Sequence, residues 1–193
     1  MSLTVIAGIA DAVGYITMGG VFAANMTGNT VLAGISLARL EWLEALHHVT
    51  PLAAFFLGAM IARLMLRLLR SPRPALLVEA VILAGVGLLP VGRQAAVLIV
   101  AVAMGIQASA ITQFARTQLS TVVVTSTLAR TADALLDRLW RGAPDGVPAV
   151  ANPRLLALTW GGYLVGAIVG ALLLQVIGQP LLVPAALLLV LLV

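Results

Sequence analysis

The chain has 193 residues, 62% of them hydrophobic and 9% charged, with a net charge of +4 and a mean hydropathy of +1.12. Soluble domains carry about 25% charged residues, so this composition excludes an ordinary cytosolic enzyme, a disordered chain and a nucleic-acid-binding domain. With no cysteine, disulfides, thiol chemistry and cysteine-ligated metal sites are excluded too.

In chain order, apolar runs cover roughly 3–18, 21–38, 50–69, 75–91, 94–115, 117–129, 153–178 and 180–193. A membrane span needs about 20 residues. The runs at 50–69, 94–115 and 153–178 are long enough, and those at 3–18, 75–91 and 180–193 are short but usable. Residues 1–18 lack a basic leader and carry Asp11 inside the apolar stretch, so they read as a membrane segment, not a cleavable signal. Gly19-Gly20, 41–50, Ser71-Pro72-Arg73-Pro74, 90–93, 142–153 and Gln179-Pro180 break the runs. His47 and His48 fall in the break at 41–50 and read as loop surface; with no third ligand near them they make no metal site. Residues 130–141, with Arg130, Asp133, Asp137, Arg138, Trp140 and Arg141, read as an amphipathic tail along the cytoplasmic interface.

The chain repeats itself. Val5 to Ile9 resembles Val102 to Ile106, Met26 to Asn29 resembles Val124 to Thr127, and Gly58 to Ala62 resembles Gly166 to Gly170, at offsets of 97, 98 and 108. These matches divide a single membrane domain, 1–193, into internal repeats 1–92 and 93–193. All 11 basic residues are arginine. If every run crosses, the arginines divide five to six between the two sides. If 21–38 and 117–129 dip in and return, nine arginines fall on one side, and only Arg39 and Arg93 on the other. The second division obeys the positive-inside rule. It predicts an all-α, polytopic transmembrane helical bundle of two homologous halves, arranged as inverted repeats. Each half has three spans plus a broken or re-entrant segment. Both termini would then be cytoplasmic.

The polar constellation in the first half is Asn25, Thr27, Gly28, Asn29 and Thr30. Its counterpart in the second half includes Gln118, Ser120, Thr121, Thr125, Ser126 and Thr127. Irregular backbone at membrane depth is tolerated only inside protein or beside water. Asn and Thr are good caps for a helix that restarts there. Two restarted helices entering from opposite faces would aim positive dipole ends at one central point, which suits an anion. The plainer alternative is that Ser and Thr bond back to their own helix or join helices together. Asp11, with Tyr15 one turn on, is expensive at depth and is read as a proton- or ion-coupling group. Its counterpart in the second half is Ala108. Glu79 is expected to pair with a nearby arginine.

Ala54, Gly58 and Ala62 recur every four residues, as do Gly162, Gly166 and Gly170. These small-residue faces let helices approach closely. They predict that the two helices cross each other at the pseudo-twofold axis. A homodimer through Gly58 or through the Gly162/Gly166/Gly170 face is the alternative. No phosphate-cradling loop, nucleophile elbow or HExxH motif is present, and no triad can be assembled, so no catalytic residue, cofactor or metal is assigned and the protein is not read as an enzyme.

Gly8-Ile9-Ala10-Asp11-Ala12-Val13-Gly14-Tyr15, followed by Gly19 to Asn29 with its Asn-Met-Thr-Gly-Asn stretch, resembles the signature of the YoaK-like family of bacterial inner-membrane proteins. Met104 to Gln107 and Val124 to Arg130 resemble the family's second-half motif. The chain departs from it at Ala108, where the family usually has Asn, and at Ser126, where it usually has Gly. The resemblance implies a polytopic membrane protein of unknown function, sometimes described as a permease, and supplies no binding residues. The residues favour a transporter or channel for a small polar or anionic solute, with lipid bilayer as its surroundings and no nucleic acid as partner. The alternative is a non-transporting scaffold or accessory subunit that binds a partner through the small-residue faces.

Overall fold

The computed structural model describes residues 2–114, 124–139 and 153–192, and these form eight helices with no strands. In chain order they are α1 (Ser2–Thr17), α2 (Met26–Ala38), α3 (Trp42–Leu69), α4 (Arg73–Leu88), α5 (Arg93–Phe114), α6 (Val124–Leu139), α7 (Pro153–Val176) and α8 (Leu182–Leu192). Three of them contain stretches long and apolar enough to cross a bilayer, Trp42–Leu69, Arg93–Ala110 and Arg154–Val176. Large apolar side chains such as Phe56, Met60 and Leu64 on α3 lie on the outside. The centre is filled by Ile6, Ile9, Leu83, Val97, Val100, Met104 and Leu188. An apolar exterior around an equally apolar core is what a helical membrane protein requires, because the solvent it faces is hydrocarbon.

Each break has a local cause. Gly19 and Gly20 have φ of +84° and +75°, in the left-handed region that glycine occupies without penalty. They end α1 with a 6→1 closure, Gly20 N–H to Tyr15 O at 3.1 Å, and turn the chain back on itself. Between α3 and α4, Ser71, Pro72 and Pro74 stop one helix and start the next. One expectation needs correction here. Residues 42–50 are helical, so His47 and His48 stand on the first turns of α3, and Pro51 is accommodated inside that helix. Residues 130–139 are the amphipathic continuation of α6, which buries Ala134 and leaves most of the other side chains of this stretch exposed.

Helix directions follow from two sets of contacts. At one end of the bundle His47 donates from Nε2 to Gly19 O at 3.2 Å, and its Nδ1 lies 3.1 Å from the Gln94 amide. The end of α1 and the starts of α3 and α5 therefore meet there. At the other end Gln107 Nε2 donates to Leu3 O at 2.9 Å. Together these bonds make α1 and α5 antiparallel.

The small-residue faces are filled in an unexpected way. α3 and α7 do not pack on each other among the described residues; α3 packs on α5, and α7 packs on α1. A β-carbon on Gly58 would fall on Val102 O, and one on Gly105 on Phe55 O and Ala59 N. One on Gly166 would fall on Val5 O, and one on Gly8 on Tyr163 O and Ala167 N. Backbones touch at both crossings, as only glycine permits. The expected α3–α7 crossing is thus replaced by two crossings, each joining the first half to the second. Gly58, Gly162, Gly166 and Gly170 are buried within the chain, which removes the surface that a homodimer through them would use.

Candidate functional site

The first polar constellation forms one connected structure around Asp11. Leaving α1 at Thr17, the chain doubles back along that helix, so that Val21 O and Ala23 N approach Gly14. It reaches the level of Asp11, about 9 Å back along the axis at 1.5 Å per residue. There the Asp11 carboxylate accepts from two backbone N–H groups with Oδ1, Ala24 at 2.5 Å and Asn25 at 3.2 Å. Its Oδ2 accepts from the Tyr163 hydroxyl of α7. Asp11 is only 2% exposed. Three donors on one carboxylate are the charge-assisted arrangement that lets an anion persist away from water.

From this point α2 starts and returns toward the end where α1 stopped. Asn25 is its N-cap, accepting from Gly28 N–H at 3.1 Å with Oδ1. Asn29 is fully buried and holds both polar groups of Phe22: Phe22 N–H donates to Asn29 Oδ1 at 2.9 Å, and Asn29 Nδ2 donates to Phe22 O at 2.7 Å. An amide side chain thereby does for an unpaired peptide what a neighbouring strand would do. Both asparagine side chains hold the loop's backbone. Thr27 and Thr30 are exposed on the first turns of α2, and Thr30 Oγ1 donates to Met26 O at 2.8 Å.

Tyr15 is not the partner of Asp11. Its ring stacks on Phe22, with centroids 4.8 Å apart, and is 48% exposed. Tyr163, 152 residues away in sequence, takes the place expected for it. In the second half, Thr125, Ser126 and Thr127 lie on the first turn of α6; Thr127 is buried, while the side chains of Thr125 and Ser126 lie outside the described residues, as do Gln118, Ser120 and Thr121 altogether. α2 packs on α3 and α6 on α7, so the two motifs do not touch each other among the described residues.

A cavity of about 300 Å³ opens at the His47 end, among α1, α4, α5, α7 and the turn that leads to α8. Val13, Thr17, Val86, Gly87, Arg93 and Gln179 line it. Below it, on the face of α4 that carries Gly87, Leu83 is buried in the core. One helical turn further is Glu79, fully buried, with neither carboxylate oxygen hydrogen-bonded among the described residues. The expected ion pair with an arginine is absent among the described residues: α4 turns Glu79 inward toward the core, while Arg63, Arg67 and Arg70 are exposed. No group of three or more His, Asp or Glu residues able to hold a metal occurs among the described residues.

The whole chain, residues 1–193, matches the family described as "Protein of unknown function (DUF1275)". It is 32% identical over 181 residues to the UPF0700 transmembrane protein YoaK of Bacillus subtilis (strain 168), covering 88% of this chain and 80% of that protein. No solved structure matches.

Proposed function

The chain belongs to the DUF1275 family, and we propose that it is a small transporter or channel for a polar or anionic solute, multi-pass in a bacterial inner membrane with both termini cytoplasmic. The observation that carries this reading is the segment 18–38. It abandons helical hydrogen bonding beside Asp11, satisfies its backbone with Asp11 and Asn29, and restarts as α2 at that depth. Such a break is tolerated where backbone lines protein or a wet path, and broken helices are a recurring element of transporters.

Two halves arranged as inverted repeats, 1–92 and 93–193, with three spans and one re-entrant segment each, are part of the proposal. Its support is that α1 and α5, which carry matching sequence, run antiparallel, and that the glycine crossings recur at the same offsets of 97 and 108. Arg39 and Arg93 then face outward and the other nine arginines the cytoplasm. The solute path runs from the Arg93-lined cavity toward the start of α2, where Thr27, Gly28 and Thr30 meet the solute beside a positive helix end, with Thr125, Ser126 and Thr127 as counterparts on α6. Asn25 and Asn29 hold that end in place. Protonation of Asp11 would weaken its grip on the loop and so couple protons to movement.

The scaffold reading retains one specific support: both asparagine amides are already occupied by the chain itself. Osmotic swelling of proteoliposomes separates the two. With formate, nitrate, urea and glycerol as probes, the wild type should admit at least one faster than protein-free vesicles do. Thr27→Val, at an exposed position, should slow that entry in protein that remains folded. A wild type that admits none of the four, in vesicles shown to contain folded protein, favours the scaffold.

A further inference from the structure

A second cavity, of about 740 Å³, lies in the crook between the end of α2 and the start of α3, outside the proposed solute path. Its charged walls are Arg39, Glu41, Glu44 and His48, and Trp42 and Leu43 continue it outward. Glu44 lies 3.5 Å from Nε2 of His48, which is buried with no hydrogen-bond partner for its Nδ1. Neither Arg39 nor Glu41 makes an ion pair or a side-chain hydrogen bond among the described residues. A guanidinium and two carboxylates thus share one cavity without neutralising one another. That is an arrangement for a ligand carrying both signs a few ångströms apart.

The surroundings narrow the choice. Trp42 is 65% exposed and Leu43 87% exposed, so the cavity mouth is apolar where it meets the bilayer. An exposed tryptophan beside charged groups marks the headgroup level of a membrane. A planar guanidinium such as Arg39 binds a phosphate by two parallel hydrogen bonds. Carboxylates such as Glu41 and Glu44 accept from an ammonium only if it has N–H donors, which a primary ammonium has and a quaternary one lacks. We propose that the α2–α3 crook is a binding site for a phospholipid with a phosphoethanolamine headgroup, the phosphate on Arg39, the ammonium on Glu41 and Glu44, and the acyl chains leaving past Trp42 and Leu43. This site shares no residue with the proposed solute site and does not depend on transport.

The test uses the full chain purified in dodecyl maltoside, with thermal unfolding read against added short-chain lipid. Dihexanoylphosphatidylethanolamine should raise Tm saturably. Dihexanoylphosphatidylglycerol, which lacks the ammonium, and glycerophosphoethanolamine, which lacks the acyl chains, should not. Arg39→Gln and Glu41→Gln should each weaken the effect by about tenfold. Both side chains are exposed, so the Tm without lipid should stay at the wild-type value, separating lost binding from lost folding. Equal stabilisation by the glycerol lipid would overturn the headgroup assignment. Equal stabilisation by the deacylated headgroup would overturn the lipid assignment. A dimer by size exclusion that Arg39→Gln dissociates, with no response to either lipid, would assign the crook to a second copy of the chain.

Discussion

At the crossing of α1 and α7, Gly8 and Gly166 bring the two backbones into contact; at the crossing of α3 and α5, Gly105 and Gly58 do the same with the matching atoms. Val5 corresponds to Val102, and Tyr163 to Phe55, at the repeat offsets of 97 and 108. The two crossings differ in what is added to this packing. Asp11 and Tyr163 are hydrogen-bonded across the first; Ala108 and Phe55 occupy the same places in the second. Carboxylate and hydroxyl are present together or absent together, as hydrocarbon surroundings demand, since either alone would be a buried polar group without its partner. Backbone proximity from glycine is the shared mechanical element. The polar latch belongs to one crossing alone, the one against which the chain folds back and restarts.

The largest effect should come from breaking what the crossings share. Gly58→Leu and Gly166→Leu each place a side chain where a carbonyl oxygen of the facing helix lies, and neither backbone can yield without parting the helices. A loss of about 4–5 kcal/mol or more is expected from each, seen as aggregation or failure to recover monodisperse protein. A Gly58→Leu variant that unfolds at the wild-type temperature would show that the α3–α5 contact is not equivalent to its partner.

Next comes the element that separates them. Asp11→Ala removes the acceptor of three donors and should cost about 3–5 kcal/mol in thermal or SDS unfolding, because a buried network broken on one side leaves the other side unsatisfied. Ala108→Asp should also destabilise, since Phe55 offers no hydroxyl. Adding Phe55→Tyr to it should recover about 1.5–3 kcal/mol, the range of a hydrogen bond to a charged group. Tyr163→Phe alone should lose about the same amount and leave the Asp11 bonds to Ala24 and Asn25 standing. If the two double-mutant cycles give equal coupling, the crossings differ only in sequence and not in design.

Much of this was legible in the residues, and the exceptions have physical causes. Gly19-Gly20 marked the turn, and Asn25 to Asn29 marked the restart, because left-handed glycine and Asn caps act within a few residues of themselves. Glycine spacing marked the close-packing faces, but not which helix each would meet. Partner choice depends on three-dimensional order, so the expected α3–α7 crossing gave way to α3–α5 and α1–α7. The Asp11 partner was sought one turn away, at Tyr15, whereas the hydroxyl comes from Tyr163. Comparison of the halves could have found it, since the Asp-for-Ala and Tyr-for-Phe differences occur together. Glu79 was assigned an arginine by proximity in sequence. Its helix face, shared with Ala75, Leu76, Ala80 and Leu83, is buried in the core, whereas Arg63, Arg67, Arg70 and Arg73 are exposed.

Glu79 supplies the smallest expected effect and the sharpest contrast with Asp11. Both are carboxyls buried in the helical bundle. Asp11 has three donors, and Glu79 has none among the described residues. Replacing an unsatisfied buried ionisable group by an apolar one of similar volume removes a desolvation penalty and no bond. Glu79→Leu should therefore leave stability unchanged or raise it, by at most about 1–4 kcal/mol, where Asp11→Leu lowers it. A destabilised Glu79→Leu would reveal a hydrogen bond that the folded chain makes in lipid. A Glu79→Leu protein of undiminished Tm that no longer passes solute into vesicles would show that a carboxyl with no structural duty is kept for the movement itself, two turns along α4 from Gly87 in the wall of the Arg93-lined cavity.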